Sequence, residues 1–367
     1  MISNEIDHVD LEEMKMATNG ENLFILNFSQ VQRHGKFSLK KYSQNFLLLD
    51  SSVYNIDKSS LAKKFKRYHP RDFIARNDSL FLLFSDELYI ISPGSDQHER
   101  IVLSQDASKF LKLKGALILC ENERAFGSDK KEIGKTFLLN QSLRPEELHQ
   151  FQIHHRYLLH FQNRNYYETY MNGILFLSPS TPFLHYFDPA TAKTGKIQLQ
   201  PKETWYKIEE RKKEQYNRLA EKDLHAMFTA ANKQLEDNIS YNVRIDRVDS
   251  MTYLISYFPG KHLAEKGFDW RQLLIILNED FEIIHKSEYR HQSSRAYIKD
   301  RENNTLNFNF HDHTKGTFCY LDGVRYQLMV EPHASWHDND AERINQEQNQ
   351  SLLNDKYDLC IYSGKVR

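Results

Sequence analysis

DFIARNDSLFLLFSDELYIISPGSDQHERIVL, residues Asp72–Leu103, decides the fold. Phe73–Ala75 opens as a strand, and Leu80–Phe84 follows as an apolar run. Glu87–Ser92 comes after a two-residue Ser85-Asp86 break, and Pro93-Gly94 turns the chain into a return strand at Glu99–Leu103. Short apolar runs of four to eight residues bounded by turn residues are strand signals, and their spacing is too tight for helices.

The same order recurs along the chain. Asn172–Ser178 pairs with Phe183–Phe187, Asp188-Pro189-Ala190-Thr191 turns, and Gly195–Leu199 returns. Before the opening stretch, Asn22–Phe28 is a strong strand, and Asn45–Leu49 with Val53–Ile56 reads as a hairpin closed at Asp57-Lys58. After it come Lys109–Leu113, Gly115–Cys120 and Lys135–Leu139, then a strand set around Tyr157–Phe161. Later strands are Tyr241–Val248, Thr252–Phe258, and a hairpin of Leu273–Leu277 with Glu282–His285. Ala296–Lys299, Thr305–Phe310, Thr317–Leu321 and Val324–Val330 follow, with a tight Asp322-Gly323 turn, and Tyr357–Tyr362 closes the chain. The units run to about 35–55 residues of three or four strands each, the size of a propeller blade. The expectation is an all-β fold, a β-propeller of about six blades, in which the strands near the two termini complete one blade. A two-domain β-sandwich arrangement is the alternative.

One segment departs from this order. From about residue 203 to 237 the apolar positions Tyr216, Leu219, Leu224, Met227 and Leu235 recur at helical spacing in a charged background. The spacing predicts one long inserted α-helix between the fourth and fifth blades. Its stripe Leu219, Leu224, Met227 and Leu235 either packs on the β domain or docks a partner. Residues 1–21 read as a loosely docked lead-in to a single domain over residues 22–367. The basic stretch Lys63–Arg67 reads as a solvated outer strand around Phe65, or as an anion patch.

The blade texture of Asp78–Leu103 and Asn172–Leu199 resembles that of divergent bacterial six-bladed propellers related to the NHL and TolB-like groups. The resemblance implies ligand or protein binding at the channel or its rim, and it carries no catalytic residue onto this chain. The inserted helix and only 13 glycines depart from the pattern.

Composition narrows the function. Lys plus Arg is 49 and Asp plus Glu is 50, which removes the net basic character that a broad nucleic-acid footprint needs. No run approaches the roughly 18 apolar residues of a membrane span. The acidic start, without an apolar core, reads as cytoplasmic, or as secreted or periplasmic if a leader has been removed. Cys120, Cys319 and Cys360 lie too far apart for a disulfide framework or a zinc set. Gly134-Lys135-Thr136 ends like a phosphate loop, but six residues separate Gly134 from Gly127 where the motif needs four.

The candidate chemistry lies late in the chain. His311, Asp312 and His313, followed by His333, His337, Asp338 and Asp340, supply nitrogen and oxygen donors for a divalent transition metal if loops converge. The tyrosines of Asn165–Tyr170 serve blade packing or a partner. Two functions remain. One is a binding or scaffold module without a cofactor, whose partner is another protein or a polar ligand. The other is a metal-assisted hydrolase or lyase acting on a glycan or other polar substrate at the channel.

Overall fold

The computed structural model describes residues 14–28, 30–56, 60–65, 68–76, 79–84, 86–92, 98–103, 107–121, 133–139, 144–152, 165–207, 209–220, 226, 240–259, 263–264, 267–268, 270–291, 318–332 and 357–365. It is all-β. The first sheet is β1 (Met14–Thr18), β2 (Leu23–Asn27), β3 (Lys36–Tyr42) and β4 (Leu48–Asn55), hydrogen-bonded in that order. Three more sheets have the same sequential order: β5 (Asp72–Arg76) to β8 (His98–Val102) through β6 (Ser79–Leu83) and β7 (Glu87–Ile91); β9 (Ala107–Leu113), β10 (Ala116–Glu121), β11 (Ile133–Leu139) and β12 (Pro145–Gln152); and β13 (Tyr167–Tyr170), β14 (Gly173–Leu177), β15 (Phe183–Phe187) and β16 (Thr194–Gln198). The fifth joins β17 (Tyr241–Arg247), β18 (Thr252–Phe258), β21 (Trp270–Leu277) and β22 (Ile283–His291), with a small side hairpin of β19 (Leu263–Ala264) and β20 (Gly267–Phe268). Among the described residues the last sheet has three strands, β23 (Phe318–Leu321), β24 (Val324–Pro332) and β25 (Tyr357–Lys365).

Each full sheet is graded from buried to exposed. Leu23–Leu26 of β2, Leu80–Leu83 of β6, Ile174–Leu177 of β14 and Tyr253–Phe258 of β18 are buried without alternation. A continuous apolar run means that both faces of the strand are covered. The fourth strands β4, β8 and β16 are largely exposed. A lone four-stranded sheet can bury neither face, so this gradient records sheets stacked face to face.

The chain divides into two compact units, one of Met1–Leu82, Tyr89–Glu99 and Lys315–Arg367, the other of Leu83–Leu88 and Arg100–Thr314. In the first, Met14, Met16, Leu23, Ile25 and Tyr42 pack on Leu321, Tyr326 and Leu328, so the first and last sheets share a core. In the second, one core runs from Leu111 and Ile118 through Tyr167 and Leu175 to Ile255 and Ile275. Burying each such side chain contributes about 1.5–3 kcal/mol. Polar stitches fix the register between neighbouring sheets. Asn242 Nδ2 donates to Ser178 O at 2.6 Å and to Thr181 O at 2.9 Å. Tyr253 OH donates to Thr169 O at 2.7 Å, and Trp205 Nε1 to Ser180 O at 2.9 Å. Lys109 Nζ reaches Tyr167 O at 3.1 Å and pairs with the Glu168 carboxylate.

The Asp322-Gly323 hairpin forms as expected. The Asp322-Gly323 turn is a two-residue hairpin with φ of 49° and 76°, and Lys114-Gly115 repeats it at 46° and 81°. Both central residues of such a turn need positive φ, which glycine adopts freely.

Other expectations fail for identifiable reasons. Leu48–Asn55 is one strand rather than the two arms of a hairpin, because β3 offers a partner along its whole length. Ser60–Phe65 is a short helix, α2, rather than a strand: Leu61 and Phe65 fall on one helical face and are both buried. Met14–Thr18 pairs with β2, so part of the expected lead-in belongs to the first sheet. Among the described residues the strands expected to close one blade lie in different sheets, β2 in the first and β25 beside β24 in the last. Two helices precede the segment expected to be a long helix: α1 (Val31–His34) and α2. In that segment Lys202–Thr204 is a 3-10 turn, and α3 runs over Glu210–Ala220. Residues 221–225 and 227–239, and the strands expected at Tyr157–Phe161, Ala296–Lys299 and Thr305–Phe310, lie outside the described residues.

Replacing Asn242 by leucine strips the buried Ser178 and Thr181 carbonyls of a donor. The unfolding free energy should fall by about 2 kcal/mol in a denaturant titration, against less than about 0.5 kcal/mol for Thr194→Ala on exposed β16.

Candidate functional site

The β3–β4 connection, Ser43-Gln44-Asn45-Phe46-Leu47, is tightly closed. Ser43 N–H donates to Leu47 O at 2.9 Å, and Phe46 N–H to Ser43 O at 3.0 Å. The Ser43 hydroxyl accepts the Leu47 N–H at 3.1 Å. Phe46 takes a left-handed φ of 62°, which costs a non-glycine residue about 1 kcal/mol or more. Its ring packs edge-on against Tyr326 at 5.7 Å, which offsets that cost and ties the turn to the last sheet. Gln44 Nε2 donates to Asp322 Oδ2 at 3.0 Å and adds a second tie.

The chain leaves this anchored turn through Leu47, Leu48 and Leu49. In a regular strand alternate side chains face opposite ways, so one of three consecutive leucines would be turned under. A bulge prevents this here. Lys41 pairs with Asp50 and Tyr42 with Leu48, which leaves Leu49 without a cross-strand partner. All three leucines are exposed, at 66%, 49% and 47%, and Val53 further along β4 is 67% exposed. They form an apolar ridge along the outer strand of the first sheet.

Cations flank the ridge. Lys36 is cross-strand from Asn55, Lys40 from Ser51 and Lys41 from Asp50. No ion pair joins any of these lysines to a carboxylate among the described residues. The Asp50 carboxylate turns instead to its neighbour, accepting the Ser51 N–H at 2.8 Å. Partial burial pulls the Lys40 ammonium below its usual value.

A second polar cluster lies in the other unit. Tyr257 OH donates to Glu288 Oε2 at 2.5 Å, Arg271 Nη1 to Glu288 Oε1 at 2.8 Å, and Gln200 Nε2 to Tyr257 OH at 3.0 Å. Burial and the neighbouring Glu288 push the Tyr257 phenol far above its usual range. These bonds join Gln200 to β18, β21 and β22.

The sequence-predicted metal donors His311, His313, His333 and His337 lie outside the described residues, as do Asp312, Asp338 and Asp340. Among the described residues no group of three or more His, Cys, Asp and Glu is placed to hold a metal ion. Of the predicted docking stripe, Leu219 is half-buried on α3, while Leu224, Met227 and Leu235 lie outside the described residues. Tyr166, Tyr167 and Tyr170 are buried, so these tyrosines serve packing. Sequence reasoning missed the ridge. Its signal was present in Leu47-Leu48-Leu49, three consecutive apolar residues beside a turn, more than one face of a strand can hide.

No protein-family model and no curated protein matches the chain. Among solved structures, a candidate exported protein of Bacteroides fragilis NCTC 9343 superposes with a TM-score of 0.53 at 9% identity, over 100% of this chain and 93% of that one. That likeness is one of fold. The WD40 domain of Neurospora crassa Pan2 gives a TM-score of 0.37 at 9% identity, over 74% of this chain and 64% of that one. A luciferin-regenerating enzyme gives 0.40 at 8% identity, over 92% and 87%. Scores this low carry no argument. Among the described residues no helix is long and apolar enough to cross a membrane.

Burial of histidine couples stability to pH, most clearly at His149. His149 stacks on Phe187 at 3.8 Å and meets the edge of Phe151 at 4.6 Å, and burial lowers its pKa. Above about pH 6.5 the ring is neutral in the folded and unfolded chain alike. Below that, the unfolded chain takes up the proton first, so stability falls with pH until the folded pKa is reached. Denaturant midpoints between pH 7.5 and 5 should therefore decline, and His149→Leu should flatten the slope.

Proposed function

We propose that the chain is a propeller of six blades, one for each of its six main sheets, and that it serves as a binding or scaffold module for another protein. The observation that carries this reading is the exposed apolar ridge of Leu47, Leu48, Leu49 and Val53. Exposed leucines scattered singly need no explanation, but a contiguous run on an outer strand is a feature of contact surfaces. The ridge sits on a turn fixed by Phe46 and Gln44, so ordering it on binding costs little conformational entropy. The stacked sheets supply the rigid support and the exposed fourth strands supply the surface, which suits binding better than chemistry.

The test compares the full chain with a Leu47→Ser, Leu48→Ser, Leu49→Ser variant, both immobilised and probed with lysate of the source cells. A protein enriched about tenfold on the native chain should be lost from the variant at unchanged melting temperature. Identical recoveries from both would overturn the reading.

A further inference from the structure

We propose that the ridge binds an extended acidic peptide segment of the partner, with apolar and carboxylate side chains alternating on one face. The inference rests on the binding reading above and adds the chemistry of the partner.

The argument starts from register. Tyr42 is opposite Leu48, Lys40 opposite Ser51, Ser38 opposite Val53, and Lys36 opposite Asn55. These four cross-strand pairs share one face of the β3–β4 ladder, because side chains two apart on a strand face the same way. Read along the outer part of that face, the groups run Leu48, half-buried Lys40, Val53 and Lys36. Apolar groups on β4 and cationic groups on β3 therefore alternate, each rung two residues on, about 6.8 Å along the strands, with a sideways offset of about 5 Å between them. Same-face side chains of an extended peptide have that spacing, whereas successive contacts on a helix come at about 5.4 Å per turn. An extended segment of pattern apolar-x-acid-x-apolar-x-acid laid along the two strands matches the ridge in its spacing along the strand direction.

Charge then selects among occupants. Among the described residues no carboxylate is cross-strand from Lys36 or Lys40 on this face, because Asp50 pairs with Lys41 on the opposite one. A second copy docked across a two-fold axis would bring the same lysines against these and repel them. A partner carrying carboxylates would neutralise them. The Lys40 ammonium is partly desolvated, and that is where a carboxylate gains most.

Backbone geometry fixes the mode. The bulge at Leu49 and the capped Ser51 N–H interrupt the free edge of β4, as guarded edge strands do. The partner accordingly lies over the side chains rather than extending the ladder.

The probe is a labelled peptide alternating leucine, serine and glutamate in that pattern, titrated against the full chain by fluorescence anisotropy. Its controls are the same peptide with lysine for glutamate and a scrambled peptide in which leucines and glutamates are grouped. The acidic patterned peptide should bind at least about tenfold more tightly than either control, and Lys36→Glu/Lys40→Glu should reverse the preference between acidic and basic peptides. Leu48→Ser/Val53→Ser should weaken the acidic peptide by a similar factor, with melting temperatures unchanged. Equal binding of the basic or scrambled peptide, or no effect of charge reversal, would overturn the proposal. So would self-association lost on Val53→Lys, or lysine-dependent binding to phosphatidylserine vesicles in place of the peptide. If the leucine and valine changes still abolish partner capture while charge reversal does nothing, the binding reading survives and only the acidic partner falls. If neither set of changes alters any capture, both fall.

Discussion

Face-to-face burial of the middle strands is the constraint on which everything else depends. Runs such as Leu80–Leu83 and Ile174–Leu177 are covered on both faces. An isolated antiparallel sheet of three or four strands leaves both faces wet, so no sheet here completes its own core. Apolar contact is non-directional, and it would let neighbouring sheets slide. The directional stitches prevent that. Asn242 clips β17 to the Ser178–Thr181 turn, and Tyr253 clips β18 to β13. Lys109 clips β9 to the same strand. Packing supplies most of the energy, and these bonds supply register.

The exposed ridge follows from the same grading. Demand for burial falls from the middle strand to the fourth, so the outer strand is free to vary. On β4 that freedom is used in a particular way. Phe46 spends backbone strain to plug the turn against Tyr326, and the bulge at Leu49 turns outward a side chain that regular pleating would hide. A floppy loop could expose three leucines without holding them in register with Lys36 and Lys40. An anchored turn on a strand does hold them.

Much of the fold was legible in the sequence. Doubly buried strands announce themselves as unbroken apolar runs, and Asp322-Gly323 announces its hairpin by residue type alone. What misled was local chemistry overruled by neighbours. Asn45–Leu49 and Val53–Ile56 read as two arms of a hairpin, yet an exposed outer strand tolerates the polar residues between them and β3 holds Leu48–Asn55 in its ladder. Lys63-Lys64-Phe65 alternates like a strand, but the partner that decides is Leu61, one helical turn earlier, which is buried with Phe65. The ridge escaped because the bulge that creates it depends on pairing with Lys41 and Tyr42, and pairing is invisible in a linear reading. The histidines His311, His313, His333 and His337 fall outside the described residues.

The most direct measurement is native-state hydrogen exchange across increasing denaturant, followed at the middle strands β10, β14 and β18. These strands belong to three sheets that share one core. If sheet-to-sheet burial holds the unit together, their slowest amides should merge into a single opening free energy equal to that of global unfolding. Three separate values, with one sheet opening while its neighbours stay protected, would contradict the account.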